Sequence, residues 1–409
     1  MKRDYSHRLG KKTVRVLRKD GSPVVGKPVT FEMTNHEFLW GSAIRETIPY
    51  VNGQLEGAEK AKIEERIEIW SKLFNNTTFP FYWGRFEPEE GKPMTWETLQ
   101  AAKWLKARGI TLKGHPLCWH TVCADWLMQY SNDEILQRQL ARIRRDVGYF
   151  EGVIDMWDVI NEVVIMPIFD KYDNAVTRIC KQLGRVELVK RVFAAAHETN
   201  PNATLLINDF NTSTNYEILI DGCLNSGVPI DVIGIQSHQH QGYWGAEKLY
   251  EVLARFDHFG LPLHFTENTL TSGHIMPPEI EDLNDYQIDK WPSTPEFEDR
   301  QARETVEMYE ILFAHPQVEN AVSWNFVDGG WLGAPAGFIR EDNSIKPVYD
   351  AIMELVKGEW WTRGEAVTDA NGEVIVEGYR GDYHLSCCGN EADLALRKGQ
   401  LDGVYTFII

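Results

Sequence analysis

Short apolar runs alternate with longer amphipathic segments from Phe38 onward. Eight of these runs are rich in β-branched and aromatic residues, which is typical of buried parallel strands. They cover residues 38–44, 76–83, 111–120, 154–161, 204–210, 231–238, 261–268 and 320–326. The segments between them, such as AEKAKIEERIEIWSKLF and FEDRQARETVEMYEILFAH, repeat apolar residues at three- and four-residue steps, which predicts helices.

A succession of eight strand–helix units predicts a (β/α)8 TIM barrel, an α/β fold. In such barrels the chemistry takes place at the carboxyl ends of the strands. The alternative is a doubly wound open sheet, which binds phosphate through a glycine-rich turn after its first strand. The corresponding segment, GSAIRETIP, is a poor candidate for that turn, so the barrel is favoured.

The two ends of the chain follow a different pattern. Segments such as TVRVLRKDGSPVVGKPVTFEM and EAVTDANGEVIVEGYRGDYHLS alternate in period two around turn sequences, which predicts short antiparallel strands. Neither end buries enough surface to fold stably by itself. We therefore expect residues 1–37 and 362–409 to pack together as an accessory β-sandwich beside a barrel of residues 38–361.

Composition narrows the range of partners. The 409 residues carry a formal net charge of −18, which disfavours binding to nucleic acid or to an anionic membrane surface. No apolar run reaches the ~18 residues of a membrane span, so no membrane insertion is expected. The six cysteines show no disulfide framework and no paired zinc-site spacing, which favours buried free thiols.

Polar side chains recur at the predicted carboxyl ends of six strands. Two of them are glutamates about 100 residues apart, Glu162 at the end of DMWDVINE and Glu267 at the end of LPLHFTE. The others are His115, Trp119 and His120, Asn161, Asn208 and Asp209, Gln236 and His238, and Trp324. Each could alone cap a loop or fill a core, but their recurrence on adjacent strands favours one shared site. Two facing carboxylates can cleave a glycosidic bond, because one protonates the leaving oxygen and the other meets the cationic sugar.

Six motifs in this set resemble those of glycoside hydrolase family 10, the retaining β-1,4-xylanases. They are GHPLCWH, WDVINE, INDFN, GIQSH, FTEN and WNFVDGGW, which occur in the family's order between about Phe38 and Lys357. The resemblance implies a TIM barrel that hydrolyses β-1,4-linked xylan or xylo-oligosaccharides with no cofactor and no metal. It also implies secretion or periplasmic export for a polysaccharide substrate, with cytoplasmic action on oligosaccharides as the alternative.

The resemblance assigns the two glutamates their roles. Glu162 would be the general acid/base and Glu267 the nucleophile of a double displacement, with the carboxyl groups about 5–5.5 Å apart. To act first as an acid, Glu162 must keep its proton near neutral pH. We expect Trp157, Trp119 and the charge of Glu267 to raise its pKa, whereas Glu267 must stay ionised.

The resemblance also assigns the surrounding side chains. Asn161 would hold the sugar 2-hydroxyl, and Asn208 would support the acid/base. Gln236 and His238 would orient the nucleophile. Five further residues would line the sugar site: His115, Trp119, His120, Trp324 and Trp331.

One segment departs from the family pattern. After the second strand the family has T-x-E-N-x-M-K-W, whereas this chain has TTFPFYWGRFEPEEG. Tyr82, Trp83 and Arg85 would therefore replace a polar grip on the non-reducing side of the sugar, and core-facing aromatics are the alternative for Tyr82 and Trp83. Beyond the nucleophile, Thr269 replaces the family's aspartate. Exo cleavage, short oligosaccharides, decorated xylose or another β-glycan are thus alternatives to internal xylan cleavage.

One long loop follows the seventh strand. Its sequence, HIMPPEIEDLNDYQIDKWPSTPEFEDR, is rich in proline and acidic residues, and we expect it to overhang the cleft.

A metal-dependent barrel hydrolase is one alternative to the glycoside hydrolase, with ligands drawn from His115, His120, Asp209, His238 and His240. A barrel that binds sugar without cleaving it is the other. No pattern predicts an oligomeric state.

Overall fold

The computed structural model describes residues 3–409. The strands in chain order are β1 (Leu9–Leu17), β2 (Pro28–His36), β3 (Leu39–Ser42), β4 (Asn76–Pro80), β5 (Thr111–His115), β6 (Met156–Asn161), β7 (Thr204–Asp209), β8 (Val232–Ile235), β9 (Leu263–Asn268), β10 (Val318–Ser323), β11 (Arg363–Val367), β12 (Glu373–Tyr379), β13 (Gly381–Cys387), β14 (Asn390–Leu396) and β15 (Val404–Ile408). The α-helices are α1 (Thr47–Val51), α2 (Gly57–Leu73), α3 (Trp83–Phe86), α4 (Thr95–Lys106), α5 (Asn132–Tyr149), α6 (Ala175–Leu183), α7 (Arg185–Thr199), α8 (Thr214–Asn225), α9 (Gly245–Asp257), α10 (Pro295–Ala314) and α11 (Pro347–Met353).

Strands β3 to β10 form a closed parallel barrel in chain order, and β10 pairs with β3 to complete the ring. Each of the eight apolar runs overlaps one barrel strand, so the predicted (β/α)8 fold is confirmed and the open sheet is excluded. Closure removes the sheet edges and brings all eight carboxyl ends to one face. The site residues predicted from six different strands can therefore meet on that face.

The layer between the barrel and its helices is packed with large apolar side chains. Trp157 of β6 is fully buried there, with its ring centroid 4.9 Å from that of Phe81 and 6.2 Å from that of Phe150. A Cβ atom on Gly114 would lie 2.2 Å from the Trp157 ring, so only glycine fits at that position of β5. Trp157 thus fills the helix layer, and the expectation that it lies beside the Glu162 carboxyl is wrong.

The accessory β-sandwich is built from both ends of the chain, as expected. One sheet has the order β12-β1-β15 and the other β11-β2-β13-β14. Their facing sides bury one core that includes Val14, Val29, Val376 and Leu385. One pairing differs from the expected antiparallel pattern, because β1 runs parallel to β15.

Arg8 connects the sandwich segment to the barrel. Its buried guanidinium donates hydrogen bonds to the carbonyl oxygens of Phe313 (2.9 Å), His315 (2.7 Å) and Val318 (2.6 Å). These carbonyls lie at the end of α10 and the start of β10. The contact fixes the N-terminal segment at the face of the barrel opposite the carboxyl ends, since β10 begins there.

The helices and the cysteines of the described residues bear on two smaller expectations, on membrane spans and on thiols. None of the helices within residues 3–409 combines the length and apolar character needed to cross a bilayer. All six cysteines are unpaired, but Cys388 is exposed and Cys123 is half-buried, so the expectation of buried thiols is wrong for these two.

Candidate active site

Glu162 follows β6 in a backbone conformation that is rare for a residue with a side chain. Its φ is +56°, in the left-handed region, and its amide donates to the Asn208 carbonyl at 2.8 Å. Ser237, which follows Gln236 at the end of β8, has a φ of +54°. Strained residues of this kind often occur where a side chain must point in one particular direction.

Three side-chain donors hold the Glu162 carboxyl group. Trp119 Nε1 lies 2.9 Å from Oε2, while Gln236 Nε2 and Asn161 Nδ2 lie 3.0 and 3.2 Å from Oε1. Gln236 was expected to orient Glu267, and that partner is wrong. Its amide points across the end of β7 toward β6, where it also donates to Asn161 Oδ1 at 3.2 Å.

Glu267, at the end of β9, is buried and is held by two other side chains. Asn208 Nδ2 donates to its Oε1 at 2.8 Å, and His238 Nε2 lies 3.2 Å from its Oε2. Asn208 was expected to support the acid/base; its side chain binds Glu267 directly, and it reaches Glu162 through Asn161 and through its own backbone carbonyl. The hydroxyl of Thr266 donates to Asn208 Oδ1 at 2.7 Å, which turns the Asn208 amide nitrogen toward Glu267.

A short hydrogen-bonded chain joins the two carboxyl groups. Asn208 Nδ2 also donates to Asn161 Oδ1 at 2.8 Å, and Asn161 Nδ2 in turn donates to Glu162. Two amide side chains therefore connect Glu162 to Glu267. The pair lies in one site, as expected from the positions of the two residues at the ends of barrel strands.

The surroundings shift the pKa values of the two glutamates in opposite directions. Burial raises the pKa of Glu162 to about 8, against hydrogen bonds from Gln236 and Trp119, and the charges of Asp209 and Glu267 raise it further. Burial also acts to raise the pKa of Glu267, but the charge of His115 and the hydrogen bond from His238 outweigh it and lower the pKa. At neutral pH one carboxyl group holds a proton and the other is an anion.

The sequence profile of glycosyl hydrolase family 10 matches residues 42–355, which is more than half of the chain. The chain belongs to glycosyl hydrolase family 10. This confirms the resemblance that the six motifs indicated.

Relatives of this family 10 chain are distant. A β-1,4-xylanase of Dictyoglomus thermophilum is 29% identical over 55% of this chain and 62% of that protein. An endo-1,4-β-xylanase/feruloyl esterase of Xylanibacter ruminicola is 26% identical over 68% of this chain and 41% of that protein. The anti-sigma-I factor RsgI6 of Acetivibrio thermocellus is 23% identical over 91% of this chain and 44% of that protein. The chain thus covers from 41% to 62% of the length of these curated relatives.

Solved structures show the same barrel. Native xylanase 10B from Thermotoga maritima matches with a TM-score of 0.62 at 23% identity, over 79% of this chain and 96% of that one. A family 10 structure from Paenibacillus barcinonensis matches with a TM-score of 0.63 at 22% identity and the same coverage. This similarity concerns the fold.

Most of the aromatic residues predicted for the family 10 site lie together. The rings of His115 and Trp324 are 5.4 Å apart, and those of His238 and Trp331 are 4.6 Å apart. Trp119 contacts the Tyr82 ring at 5.6 Å. These flat side chains surround the two carboxyl groups and offer faces on which a sugar ring can stack.

His120 was expected among these residues, and its ring lies behind Trp119, with the two ring centroids 6.2 Å apart. It is buried, and its ring packs against Phe169 at 4.6 Å. Burial lowers its pKa to about 4, so the ring is neutral near pH 7. In the described contacts His120 binds neither glutamate, and its place is in the packing under the loop after β6.

The segment that departs from the family divides between the site and the core. Tyr82 contacts His115 as well as Trp119, with both ring centroids 5.6 Å away, so it lies at the site. Trp83 is buried in the main hydrophobic core, where its Nε1 donates to Glu87 at 3.0 Å. The placement of Trp83 at a sugar site is therefore wrong. Arg85 is exposed, and its guanidinium lies 5.7 Å from the Tyr82 ring.

Thr269, which replaces the family's aspartate, contacts two histidines. Its hydroxyl lies 3.4 Å from His238 Nδ1 and 3.2 Å from His240 Nδ1. A hydroxyl thus takes the place of a carboxylate behind His238. Across residues 3–409, no cluster of three or more His, Cys, Asp or Glu side chains is arranged to hold a metal ion.

A buried charged group that was not predicted from the sequence lies beneath the site. Inside the barrel, Asp158 Oδ2 lies 2.7 Å from both Lys113 Nζ and His115 Nδ1, and all three side chains are buried. The electrostatic effects of His115 and Lys113 lower the pKa of Glu267. A signal for this group was present, because a lysine in TLKGH and an aspartate in MWDVIN are unusual in otherwise apolar strands.

Asp209 is a second residue whose role the sequence analysis left open. Its carboxylate accepts hydrogen bonds from the amides of Val164 (3.1 Å) and Asn211 (3.0 Å). Burial is the main cause that raises its pKa to about 7. Asp209 therefore holds the loop that follows Glu162, and its charge helps to keep Glu162 protonated.

Proposed function

We propose that this protein is a retaining glycoside hydrolase that cleaves β-1,4-linked xylan or xylo-oligosaccharides. The observation that carries the proposal is the pair of connected carboxyl groups whose pKa values are shifted apart, to about 8 for Glu162 and below the ordinary value for Glu267. A pair of this kind supplies an acid and a nucleophile at the same pH. Membership of glycosyl hydrolase family 10 and the xylanase names of several relatives support the substrate.

In the first step Glu162 donates its proton to the glycosidic oxygen while Glu267 attacks the anomeric carbon. The glycosidic bond breaks, the shortened chain leaves as an alcohol, and the sugar stays bound to Glu267 as an ester. In the second step Glu162, now an anion, takes a proton from water as the water attacks the same carbon. The ester bond breaks, and Glu162 regains its proton.

The neighbouring side chains have supporting roles in this scheme. Asn161 donates to Glu162 and is held by Asn208 and Gln236, so its amide is fixed close to the sugar 2-hydroxyl that it would bind. His238 and Asn208 keep Glu267 ionised and oriented. Trp324 and Trp331 would stack on the sugar ring.

Replacement of the nucleophile tests the proposal. Glu267→Ala should abolish turnover of an aryl β-xylobioside, since no ester can form without the carboxylate. Azide should then restore product release as a glycosyl azide of inverted configuration, because it enters the space left by the side chain. Glu198→Ala, which removes an exposed glutamate on α7, serves as the control. Undiminished activity in Glu267→Ala would remove this assignment.

A second candidate is preferential action on short oligosaccharides. Lys171, in the loop after β6, pairs with Asp282 at 2.6 Å and Asp285 at 2.7 Å in the loop after β9. These two loops leave strands that are three positions apart in the ring, so the ion pairs connect separate sides of the carboxyl-end face. A connection between these loops would hinder the binding of a long polysaccharide more than that of a short oligosaccharide.

A product profile separates these two substrates. Internal cleavage should lower the viscosity of a xylan solution well before much reducing sugar appears. Action on short chains should release small products from xylotriose and xylotetraose while the viscosity falls slowly. For a polymeric substrate we also propose secretion or periplasmic export, and for the short substrates action in the cytoplasm.

A further inference from the structure

Two arginines meet the Tyr82 ring at one end of the site. Arg45 follows β3, and its guanidinium carbon lies 4.8 Å from the Trp324 ring centroid and 5.8 Å from that of Tyr82. One of its nitrogens lies 3.4 Å from the Tyr82 hydroxyl. The guanidinium carbon of Arg85 lies 5.7 Å from the same ring. Two cations thus flank the aromatic residue that stands where the family has a polar grip.

Neither guanidinium pairs with an anionic side chain within residues 3–409. The nearby glutamates are engaged elsewhere, because Glu46 pairs with Arg66 at 2.7 Å and Glu87 with Arg145 at 2.9 Å. In the part of the chain that the structure describes, no carboxylate oxygen lies within 4.0 Å of Arg45 or Arg85. In a protein of net charge −18, two uncompensated cations around one aromatic ring at a cleft are a local reversal of sign.

Two aromatic side chains, Tyr82 and Trp119, separate these arginines from the acid/base. The Tyr82 ring contacts Trp119 at 5.6 Å, and Trp119 donates its indole N–H to Glu162. Burial raises the pKa of Tyr82 to about 12, and its hydroxyl senses the charges of both arginines and of both glutamates. A sugar bound beside the cleaved bond would therefore present its substituents to Arg45 and Arg85.

We propose that Arg45 and Arg85 form a subsite for a sugar carboxylate, a uronate carried by the oligosaccharide. A guanidinium binds a carboxylate through charge-assisted and often bidentate hydrogen bonds, whereas sugar hydroxyls offer only neutral partners. The aromatic faces of Tyr82 and Trp324 would cover the apolar side of the same sugar. This subsite rests on the proposed function, since it selects among substrates of the same two glutamates.

The test compares kcat/KM on three substrates. They are linear xylotetraose, xylotetraose with one glucuronate branch, and an oligosaccharide that ends in a uronate at its non-reducing end. We expect the wild-type protein to prefer one of the two acidic substrates over the linear one, and which of them it prefers identifies the source of the carboxylate. Arg45→Gln should reduce kcat/KM on that substrate about tenfold more than on the linear one, mainly through KM, since one charged hydrogen bond is worth about a factor of ten.

Matched variants separate charge from shape. Arg85→Gln should act in the same direction as Arg45→Gln, while Arg45→Lys should retain part of the preference because the charge remains. Arg303→Gln removes an exposed arginine of α10 and should leave all three rates unchanged. Salt at about 0.5 M should weaken the acidic preference by screening. Equal losses on acidic and linear substrates would overturn the proposal, because the arginines would then bind neutral hydroxyls.

A binding measurement distinguishes this proposal from the proposed function. Calorimetric titration with the branched and the linear oligosaccharide reports affinity without cleavage. If neither is cleaved but the acidic one binds more tightly, and Arg45→Gln removes the difference, the hydrolase proposal fails and the subsite stands. If both are cleaved and bound equally well, the subsite fails and the hydrolase proposal stands.

Discussion

Glu162 and Glu267 are the same residue type in two different surroundings. Glu162 is half-buried near Asp209, and its three neutral hydrogen-bond donors only partly offset the rise in its pKa. Glu267 lies above the buried Lys113–Asp158–His115 group and contacts His238. The difference in proton affinity therefore comes from the placement of neutral and positive groups around each carboxyl.

These pKa directions predict a bell-shaped pH dependence of kcat/KM. Glu162 acts in its protonated form, so activity should fall as the pH rises through about 8. Glu267 acts as an anion with a lowered pKa, so the acidic limb should lie below the ordinary range of glutamate. A pH profile on an aryl β-xylobioside measures both limbs. A basic limb near pH 5 would contradict the assigned acid.

Trp119→Phe should move the basic limb upward by about one pH unit. The indole N–H stabilises the Glu162 anion, and loss of a hydrogen bond to a charged group is worth roughly 1.4 kcal/mol or more. Trp126→Phe is the matched control, because its indole donates to the Glu87 carbonyl and not to a catalytic carboxyl. A downward shift in Trp119→Phe would count against this account of the pKa.

At the level of elements, the long loop after β9 forms an ordered structure. Met276 and Trp291 bury a small core of their own together with Ala334 and Ala336. The Met276 amide donates to the His240 carbonyl at 2.8 Å, which connects this loop to the loop after β8. The ion pairs of Lys171 then connect it to the loop after β6.

Lys171→Gln tests whether that connection restricts the substrate. Because the ion pairs are largely exposed, we expect a loss of stability below about 1 kcal/mol. The rate on polymeric xylan should rise relative to the rate on xylotriose, since the two loops can then separate. Lys181→Gln, an exposed lysine on α6, is the control. An unchanged ratio in Lys171→Gln would show that the connection does not limit chain length.

At the level of the whole molecule, Arg8 makes a polar connection between the sandwich and the barrel that is well protected from water. The Arg8 guanidinium donates hydrogen bonds to three barrel carbonyls, and its burial lowers its pKa to about 9. Because β1 pairs with β12 and β15, the N-terminal segment cannot separate from the barrel unless the C-terminal strands move with it or their hydrogen bonds to β1 break. The boundaries at 37/38 and 361/362 stay a prediction.

Arg8→Ala should lower the free energy of unfolding by about 3 kcal/mol, because three buried hydrogen bonds from a charged group to barrel carbonyls are lost. Urea unfolding measures the change, and Arg15→Ala, an exposed pair with Glu373, should cost less than about 1 kcal/mol. Limited proteolysis should cut the variant near residue 361 faster than the wild type. Release of residues 362–409 from the wild type as a soluble fragment, with the rest unchanged, would contradict the shared sandwich.

Much of the fold was predictable because its signals are local. A run such as TLLIND is apolar on both faces, and the helix segments repeat at the helical period, so eight units and their order follow from neighbouring residues. The positions of Glu162 and Glu267 at strand ends also follow, since they close two such runs. The alternating ends of the chain likewise indicated the sandwich.

What each side chain contacts was decided only by the closed barrel. Gln236 turned out to bind Glu162 and Asn208 to bind Glu267, because the ring curvature and the left-handed backbone at Glu162 and Ser237 set the direction of these groups. The burial of Trp83 depends on helices that pack against it from distant parts of the chain. A sequence specifies which residues reach the end of a strand, while contacts between strands arise from the register and closure of the whole ring.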